Sequence, residues 1–416
     1  MKECIILAGG FGTRLAHLIP ELPKCLAPVG ERPFLHALLL YLKSQNINHF
    51  VFSLGYKSDL VIDYVRKNFS DLKFSFVIED QPLGTGGAIQ KAIFQCQSEH
   101  IFVINADTYY PVDLNSLYQF HTYKKANISL TLKPMVFPHR YGTVEIDIHQ
   151  KVTQFHEKKE INYGLINGGI YVISKSWFLS LDLPEVFSFE KEILENENYQ
   201  DALFAQVNDL PFIDIGVPED YARAEEFLSM NLDYKPKIKN LFLDRDGVIN
   251  ELRPNDYVKK FEEFMFRAEV LEELHLIAPS FEKIFVVTNQ AGIGKALMTD
   301  EDLLNIHDMM EEFLEFFGVR FAGIYFCPHT KESECNCRKP KSGMLDQAKM
   351  DFPNLLFAES VIIGDSNTDM LMGRSRGMKT VALGSNFRDE QGKPIQDHVV
   401  ESLKEFRENI LPQFQS

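Results

Sequence analysis

Positive charge is scarce in this 416-residue chain: 43 lysines and arginines stand against 59 aspartates and glutamates, a net charge of −16. That balance disfavours broad binding to nucleic-acid backbones or to anionic membranes, although local basic pockets remain open to it. Long hydrophobic runs are missing too. The longest apolar stretch, residues 34–42, is interrupted by His36 and is far shorter than the roughly 20 residues of a spanning helix. The N-terminus carries one early lysine and a short apolar run that enters a glycine loop directly, unlike a signal peptide, so the cytoplasm is the expected location. There are only six cysteines. Cys4, Cys25 and Cys96 are scattered, whereas Cys327, Cys335 and Cys337 lie together beside His329, which points to a metal in a reducing compartment and away from disulfides.

What is present has the balance of an ordinary globular protein, 45% hydrophobic and 25% charged, with length for two or three domains. Strand-like runs at 4–7, 50–54, 74–78 and 101–104 alternate with amphipathic helical segments, a pattern that predicts a mostly parallel sheet. The alternation restarts with runs at 240–243, 283–288, 323–326 and 361–363. The expected organisation is therefore α/β in two domains, 1–230 and 239–390, joined by a polar linker at 231–238 that contains Pro236. A helix is expected at 218–230 before the linker. Residues 391–416 form a C-terminal helical tail, with 398–414 reading as one amphipathic helix closed by Pro412.

The first strand runs into Gly9-Gly10-Phe11-Gly12-Thr13-Arg14-Leu15, and Pro23-Lys24 follows. Such a loop reads either as a tight turn or as a phosphate cradle in which backbone N–H groups approach the anion, Arg14 grips it as a fork and Lys24 adds a point charge. With the Thr-Arg-Leu and Pro-Lys additions, the segment resembles the sugar-1-phosphate nucleotidyltransferase family over about the first 230 residues, which implies a Rossmann-like sheet. The resemblance assigns Gly9, Gly10, Gly12, Thr13, Gly84 and Thr85 to the nucleotide, the latter two within Pro82-Leu83-Gly84-Thr85-Gly86-Gly87. It implies Mg2+ at Asp107 and Asp214, and a sugar-phosphate pocket from Tyr141-Gly142, Glu157-Lys158 and Asn167-Gly168-Gly169. By themselves the charges at 157–160 read equally as a solvated run. Ala106 departs from the family, where glycine usually precedes the Asp.

The reaction implied is in-line attack of a sugar 1-phosphate on the α-phosphorus of a nucleoside triphosphate, with Arg14, Lys24, Lys158 and Mg2+ screening the two anions. Glu79, four residues before Leu83, occupies a place where related enzymes read the base. A carboxylate only accepts hydrogen bonds, and guanine presents two adjacent donors, so Glu79 suits GTP.

The strand at 240–243 ends in Asp244-Arg245-Asp246-Gly247-Val248, two carboxylates at a strand's carboxyl end, where open α/β sheets place ligands. Asp244 is placed to act as nucleophile on phosphorus and Asp246 as acid and then base, with Mg2+ on the phosphate; two acids of a surface turn are the plainer alternative. Thr288-Asn289-Gln290, Arg338-Lys339-Pro340 and Gly364-Asp365-Ser366-Asn367-Thr368-Asp369 follow in order, and together these motifs resemble the haloacid dehalogenase (HAD) phosphatases over about 239–385. The resemblance implies a Rossmannoid sheet, Thr288, Asn289, Arg338 and Lys339 on the phosphoryl group, and Mg2+ at Asp244, Asp246 and Asp365, supported by Asp369. The gaps between motifs leave no room for a large cap domain.

Cys327, His329, Cys335 and Cys337 offer three thiolates and one imidazole, a tetrahedral Zn2+ set with no open position, so the zinc is expected to be structural and to pin the loop that carries Arg338 and Lys339. With this loop the second half is most similar to heptose bisphosphate and histidinol phosphate phosphatases, with Ser366 standing where a lysine often follows the Asp. The first half is most similar to heptose 1-phosphate guanylyltransferases. The resemblance thus implies a bifunctional enzyme that takes heptose phosphates and GTP to GDP-heptose. Another sugar phosphate with a different phosphatase specificity, or a scaffold with degenerate sites, are the competing readings.

Overall fold

The computed structural model describes the chain except for residues 1, 11–13, 16, 157–160, 233, 235–236, 255 and 416. It divides into two compact units, Met1–Lys235 and Pro236–Ser416. Among the described residues no helix is long and apolar enough to cross a membrane.

In the first unit the apolar runs Glu3–Ala8, His49–Leu54, Lys73–Ile78 and His100–Asn105 form the parallel half of a sheet that has nine strands among the described residues. Ile5, Ile6, Val51 and Val103 are fully buried, as expected of strands covered on both faces. The sheet is mixed and not mostly parallel. Tyr163–Ser174 pairs antiparallel with both His100–Asn105 and Ile128–Val136, and Thr143–Ile146 and Val152–His156 form a hairpin, two strands joined by a five-residue connection too short for a crossover helix. The helix expected at 218–230 is two, Pro218–Ala222 and Ala224–Asn231, broken at Arg223, where φ is −98° and ψ is 0°.

The second unit is a six-stranded parallel sheet in the order Gly323–Cys327, Lys283–Asn289, Asn240–Leu243, Ser360–Gly364, Lys379–Leu383, His398–Val400. The three central strands end at Asp244, Thr288-Asn289 and Asp365, so their termini converge at one edge. Between the motifs the described residues form the helices Val270–Ile277, Asp300–Phe316 and Gly343–Asp351 and no additional domain.

The C-terminal segment differs from the expected single helix. His398–Val400 is the sixth strand of the sheet, and helical turns begin at Leu403. Val400, Leu403, Phe406, Ile410 and Leu411 join the core of this unit, so pairing the β-branched Val399 and Val400 with Lys379–Leu383 outweighs continuing the helix upstream. Pro412 does not close the helix; the π turn Phe406–Ile410 runs directly into Leu411–Gln415, and Pro412 lies within that continuous helical stretch.

Candidate active sites

In the first unit Asp107 follows the strand His100–Asn105, and Asp214 ends the short strand Ile213–Asp214, which pairs antiparallel with Thr108–Tyr109. That pairing, with the Ile215 N–H donating to the Asp107 carbonyl at 3.0 Å, brings two residues more than 100 apart in sequence to one place. Lys24 lies between them, its Nζ paired with Asp107 Oδ2 and 3.7 Å from Asp214 Oδ1. Burial and the neighbouring Asp107 push the Asp214 carboxyl up, with Lys24 opposing. Two carboxylates against one ammonium leave negative charge uncompensated, a donor set suited to a hard divalent cation.

Glu79 stands beside the glycine loop. A Cβ on Gly9 would lie 2.6 Å from Glu79 Oε1, so glycine is what lets the loop and the carboxylate meet. Oε1 accepts from Ser53 Oγ at 2.9 Å and Oε2 from the Leu83 N–H at 3.2 Å, which fixes the carboxylate and leaves each oxygen a second lone pair. Gly10 and Arg14 are exposed. The second glycine segment packs closely against the segment 187–190. Gly84, at φ +73°, would put a Cβ 2.3 Å from the Phe187 carbonyl, and Thr85 Oγ1 donates to Glu190 Oε2 at 2.6 Å while accepting from the Phe189 N–H. Both residues pack against 187–190, and the Thr85 hydroxyl is held by protein partners.

Tyr141 packs edge-on against Phe212, and burial followed by the charges of Asp214 and Asp220 raises its phenol to about 12, which sets it near the acidic pair. Gly142 lies under the His156 carbonyl and Gly168 against the Tyr110 ring. Asn167 donates to Tyr171 Oη at 2.7 Å and accepts from the Gly169 N–H, so its amide braces the strand. Gly12, Thr13, Glu157 and Lys158 lie outside the described residues.

In the second unit Asp244, Asp246, Thr288, Asn289, Lys339 and Asp365 border a cavity of about 210 Å³, with Leu252 and Tyr257 also contributing. Lys339, almost wholly buried, pairs through Nζ with Asp244 Oδ1 at 2.7 Å and Asp369 Oδ1 at 2.6 Å. Its N–H donates to Asn289 Oδ1 at 3.1 Å, which ties the Thr-Asn-Gln and Arg-Lys-Pro segments together. Gly247, at φ +88°, is required here: a Cβ would sit 1.9 Å from Asp365 Oδ2.

Carboxylate oxygens of Asp244, Asp365 and Asp369 lie within 4.8 Å of one another. Burial, then Asp369, raises Asp365 to about 6, and burial raises Asp244 despite Lys339. Three acids against one lysine again fit a divalent cation. Asp246, expected beside these residues, does not join them through its side chain. The Asp246 carboxylate is not in that set; it is turned to Arg245, Asn250 and Gln290, which hold it below the usual carboxylate range even though burial pushes it up. Asp369, expected only as support, belongs to the set. Arg338 is also placed differently, its Nη1 donating to the His329 carbonyl at 3.2 Å along the metal loop.

The four soft donors converge. Cys327 Sγ lies 3.5 Å from Cys335 Sγ and 3.2 Å from Cys337 Sγ, and His329 Nδ1 lies 3.7 Å and 3.2 Å from Cys327 and Cys337. A tetrahedron with Zn–S of about 2.3 Å has sulfur edges of about 3.8 Å, whereas a disulfide needs about 2.05 Å. The sulfurs lie somewhat inside that edge and far beyond disulfide distance, so the cluster could hold zinc.

The sequence reading missed Arg245, Gln290 and His307 as a connected group. The available signal was an arginine between two catalytic-type aspartates and a glutamine two residues beyond Thr288.

Comparison with known proteins agrees with this division. The family profile described as Nucleotidyl transferase matches residues 3–231, and the HAD-hydrolase-like profile matches residues 336–406. Over 226 residues the chain is 42% identical to the D-glycero-alpha-D-manno-heptose 1-phosphate guanylyltransferase of Aneurinibacillus thermoaerophilus, covering 54% of this chain and 98% of that protein. Over 180 residues it is 34% identical to the D-glycero-beta-D-manno-heptose-1,7-bisphosphate 7-phosphatase of Vibrio cholerae, covering 41% and 95%. Of solved structures, HddC from Yersinia pseudotuberculosis complexed with GMP-PN is similar at 36% identity and a TM-score of 0.50, covering 54% of this chain and 99% of that one.

Proposed function

We propose, for a chain that belongs to the nucleotidyl transferase family in its first unit and to the HAD-like phosphatases in its second, two consecutive reactions on one sugar. The 7-phosphate of D-glycero-D-manno-heptose 1,7-bisphosphate is removed, and GMP is then transferred from GTP to the heptose 1-phosphate, giving GDP-heptose and pyrophosphate. One observation carries this: a single chain spans nearly the whole of a heptose 1-phosphate guanylyltransferase and of a heptose 1,7-bisphosphate 7-phosphatase, and the second chemistry leaves the acceptor that the first requires. The relatives' names differ in anomer. Hydrolysis at C7 does not touch C1, so consecutive action requires the alpha bisphosphate.

In the phosphatase unit a carboxylate oxygen of Asp244 attacks phosphorus. The bond to the sugar oxygen breaks, its electron pair leaves on that oxygen, and Asp246 supplies the proton; ionised beside Arg245 in the free site, it takes up that proton with the incoming phosphoryl anion, whose negative charge favours the neutral acid. Asp246, now ionised, takes a proton from water, whose oxygen attacks the aspartyl phosphate and returns Asp244 to its starting state. Thr288 and Lys339 bind phosphoryl oxygens throughout. In the transferase unit an oxygen of the sugar 1-phosphate attacks the α-phosphorus of GTP, and the electron pair of the broken bond departs on pyrophosphate. Arg14, Lys24 and Lys158 offset the charge of the two anions, while Glu79 accepts from the guanine N1–H and amino group. Asp107 with Asp214, and Asp244 with Asp365 and Asp369, would hold Mg2+, which neutralises phosphoryl charge when bound.

The test supplies the full chain with alpha and beta heptose 1,7-bisphosphate, GTP and Mg2+, and follows phosphate, pyrophosphate and GDP-heptose. The alpha substrate should yield all three. Asp244→Asn should stop phosphate release but still convert added heptose 1-phosphate. Turnover of other sugar phosphates in preference to heptose overturns the reading.

A further inference from the structure

Gln290 is fully buried behind the cavity residues Asp246 and Thr288, and so is the Arg245 guanidinium beside it. Arg245 Nη2 lies 3.0 Å from Gln290 Oε1, 3.0 Å from Asp246 Oδ1 and 3.0 Å from Asp246 Oδ2. Guanidinium nitrogens only donate, so the amide atom that faces Arg245 is the oxygen, and this settles which way the amide points. Both hydrogens of Gln290 Nε2 then face the catalytic side, one toward Asp246 Oδ2 at 2.7 Å and one toward Thr288 Oγ1 at 2.8 Å.

Two consequences follow from donor and acceptor counting. Thr288 Oγ1 accepts from Gln290, so its own proton is left to be donated into the cavity, where a phosphoryl oxygen would sit. Asp246 is held away from the carboxylates that converge for a cation, which keeps it for proton transfer. Arg245 is itself fixed, because Nη1 donates to His307 Nε2 at 3.2 Å. That contact requires the lone pair of His307 on Nε2 and its proton on Nδ1. Burial, reinforced by Arg245, keeps the imidazole neutral, its pKa lowered to about 3.

We propose that Gln290, locked by the buried Arg245–His307 pair, is the positioning residue of the phosphatase, aiming the Asp246 carboxylate at water and the Thr288 proton at the phosphoryl group through one amide. The inference rests on the phosphatase reading given above. Positioning side chains of this kind are worth about 10- to 100-fold where they orient a reacting group.

The experiment uses the full chain with Gln290→Met and Gln290→Glu, each checked for zinc content and thermal melting equal to wild type. Phosphate release is measured on heptose 1,7-bisphosphate and on p-nitrophenyl phosphate, whose leaving group needs no proton. With the second substrate, forming the aspartyl phosphate makes no demand on Asp246 and only its hydrolysis does. Both variants should therefore show a burst of nitrophenolate of about one per site, a slow steady state and a trappable phosphoenzyme. On the sugar ester kcat should drop about 10- to 100-fold with no burst and little change in KM. Equal losses on both substrates without a burst overturn the Asp246 part of the inference, and unchanged kcat overturns it whole; both leave the phosphatase reading intact. A wild-type chain that hydrolyses neither substrate overturns both.

Discussion

Removing one ligand from the Cys/His cluster should disable the phosphatase while sparing the transferase. The perturbation is Cys337→Ser, or chelation of the wild-type chain. Residues 328–338 form a loop with no strand, with one short helical turn at Lys331–Ser333, tied by contacts such as the Gly294 N–H to the Pro328 carbonyl at 2.9 Å and Arg338 to the His329 carbonyl at 3.2 Å. Ordering roughly ten such residues costs roughly 10–20 kcal/mol of backbone entropy, and a structural zinc contributes about 10–16 kcal/mol, so the two nearly balance and the loop depends on the ion. Lys339 follows Cys337 by two residues and reaches Asp244 and Asp369 only if the loop is held. The assay pairs metal content by mass spectrometry with phosphate release and nucleotidyl transfer on the same preparation. One zinc per chain is expected for wild type and none for Cys337→Ser, with phosphate release down at least about 100-fold by loss of an oriented charge and transfer unchanged. A zinc-free chain with full phosphatase activity would refute the reasoning.

Lys24→Met removes the ammonium that bridges Asp107 and Asp214; nucleotidyl transfer should drop about 100- to 1,000-fold with phosphate release unaffected, and transfer at wild-type rate would discard its role. Glu79→Gln replaces an acceptor with a donor and should cost about 10- to 100-fold in kcat/KM for GTP relative to ATP, measured by competition; an unchanged ratio removes Glu79 from base reading. Burial, aided by His100 in one case and Arg245 in the other, pulls His121 and His307 down to about 3. A folded pKa below the unfolded value near 6.5 means that the unfolded chain takes up the extra proton, so their stability contribution is complete above about 6.5 and is lost as pH drops toward 3. Each should cost about 2 kcal/mol at pH 5. Hydrogen exchange resolved by unit should show this acid loosening in both, and His121→Gln should remove it from the first unit alone; equal slopes with and without His121 would contradict the assignment.

The sequence by itself determined the parallel strands and the residues at their ends. Apolar runs of strand length, followed by Asp244, Thr288 or Asp365, encode both burial and the polar break at the sheet edge. The Cys/His spacing was equally readable, since local ligand geometry leaves little freedom. Tertiary structure decided matters that turn on partners distant in sequence. The amide of Gln290 has no direction until Arg245 faces it, the Asp246 carboxylate turns from the other acids because three side chains draw it aside, and Gly84 and Thr85 are packed because Phe187 and Glu190 arrive against them. The last strand was hidden for the same reason: three residues at His398–Val400 carry no period of their own, and pairing with Lys379–Leu383 is what makes them a strand.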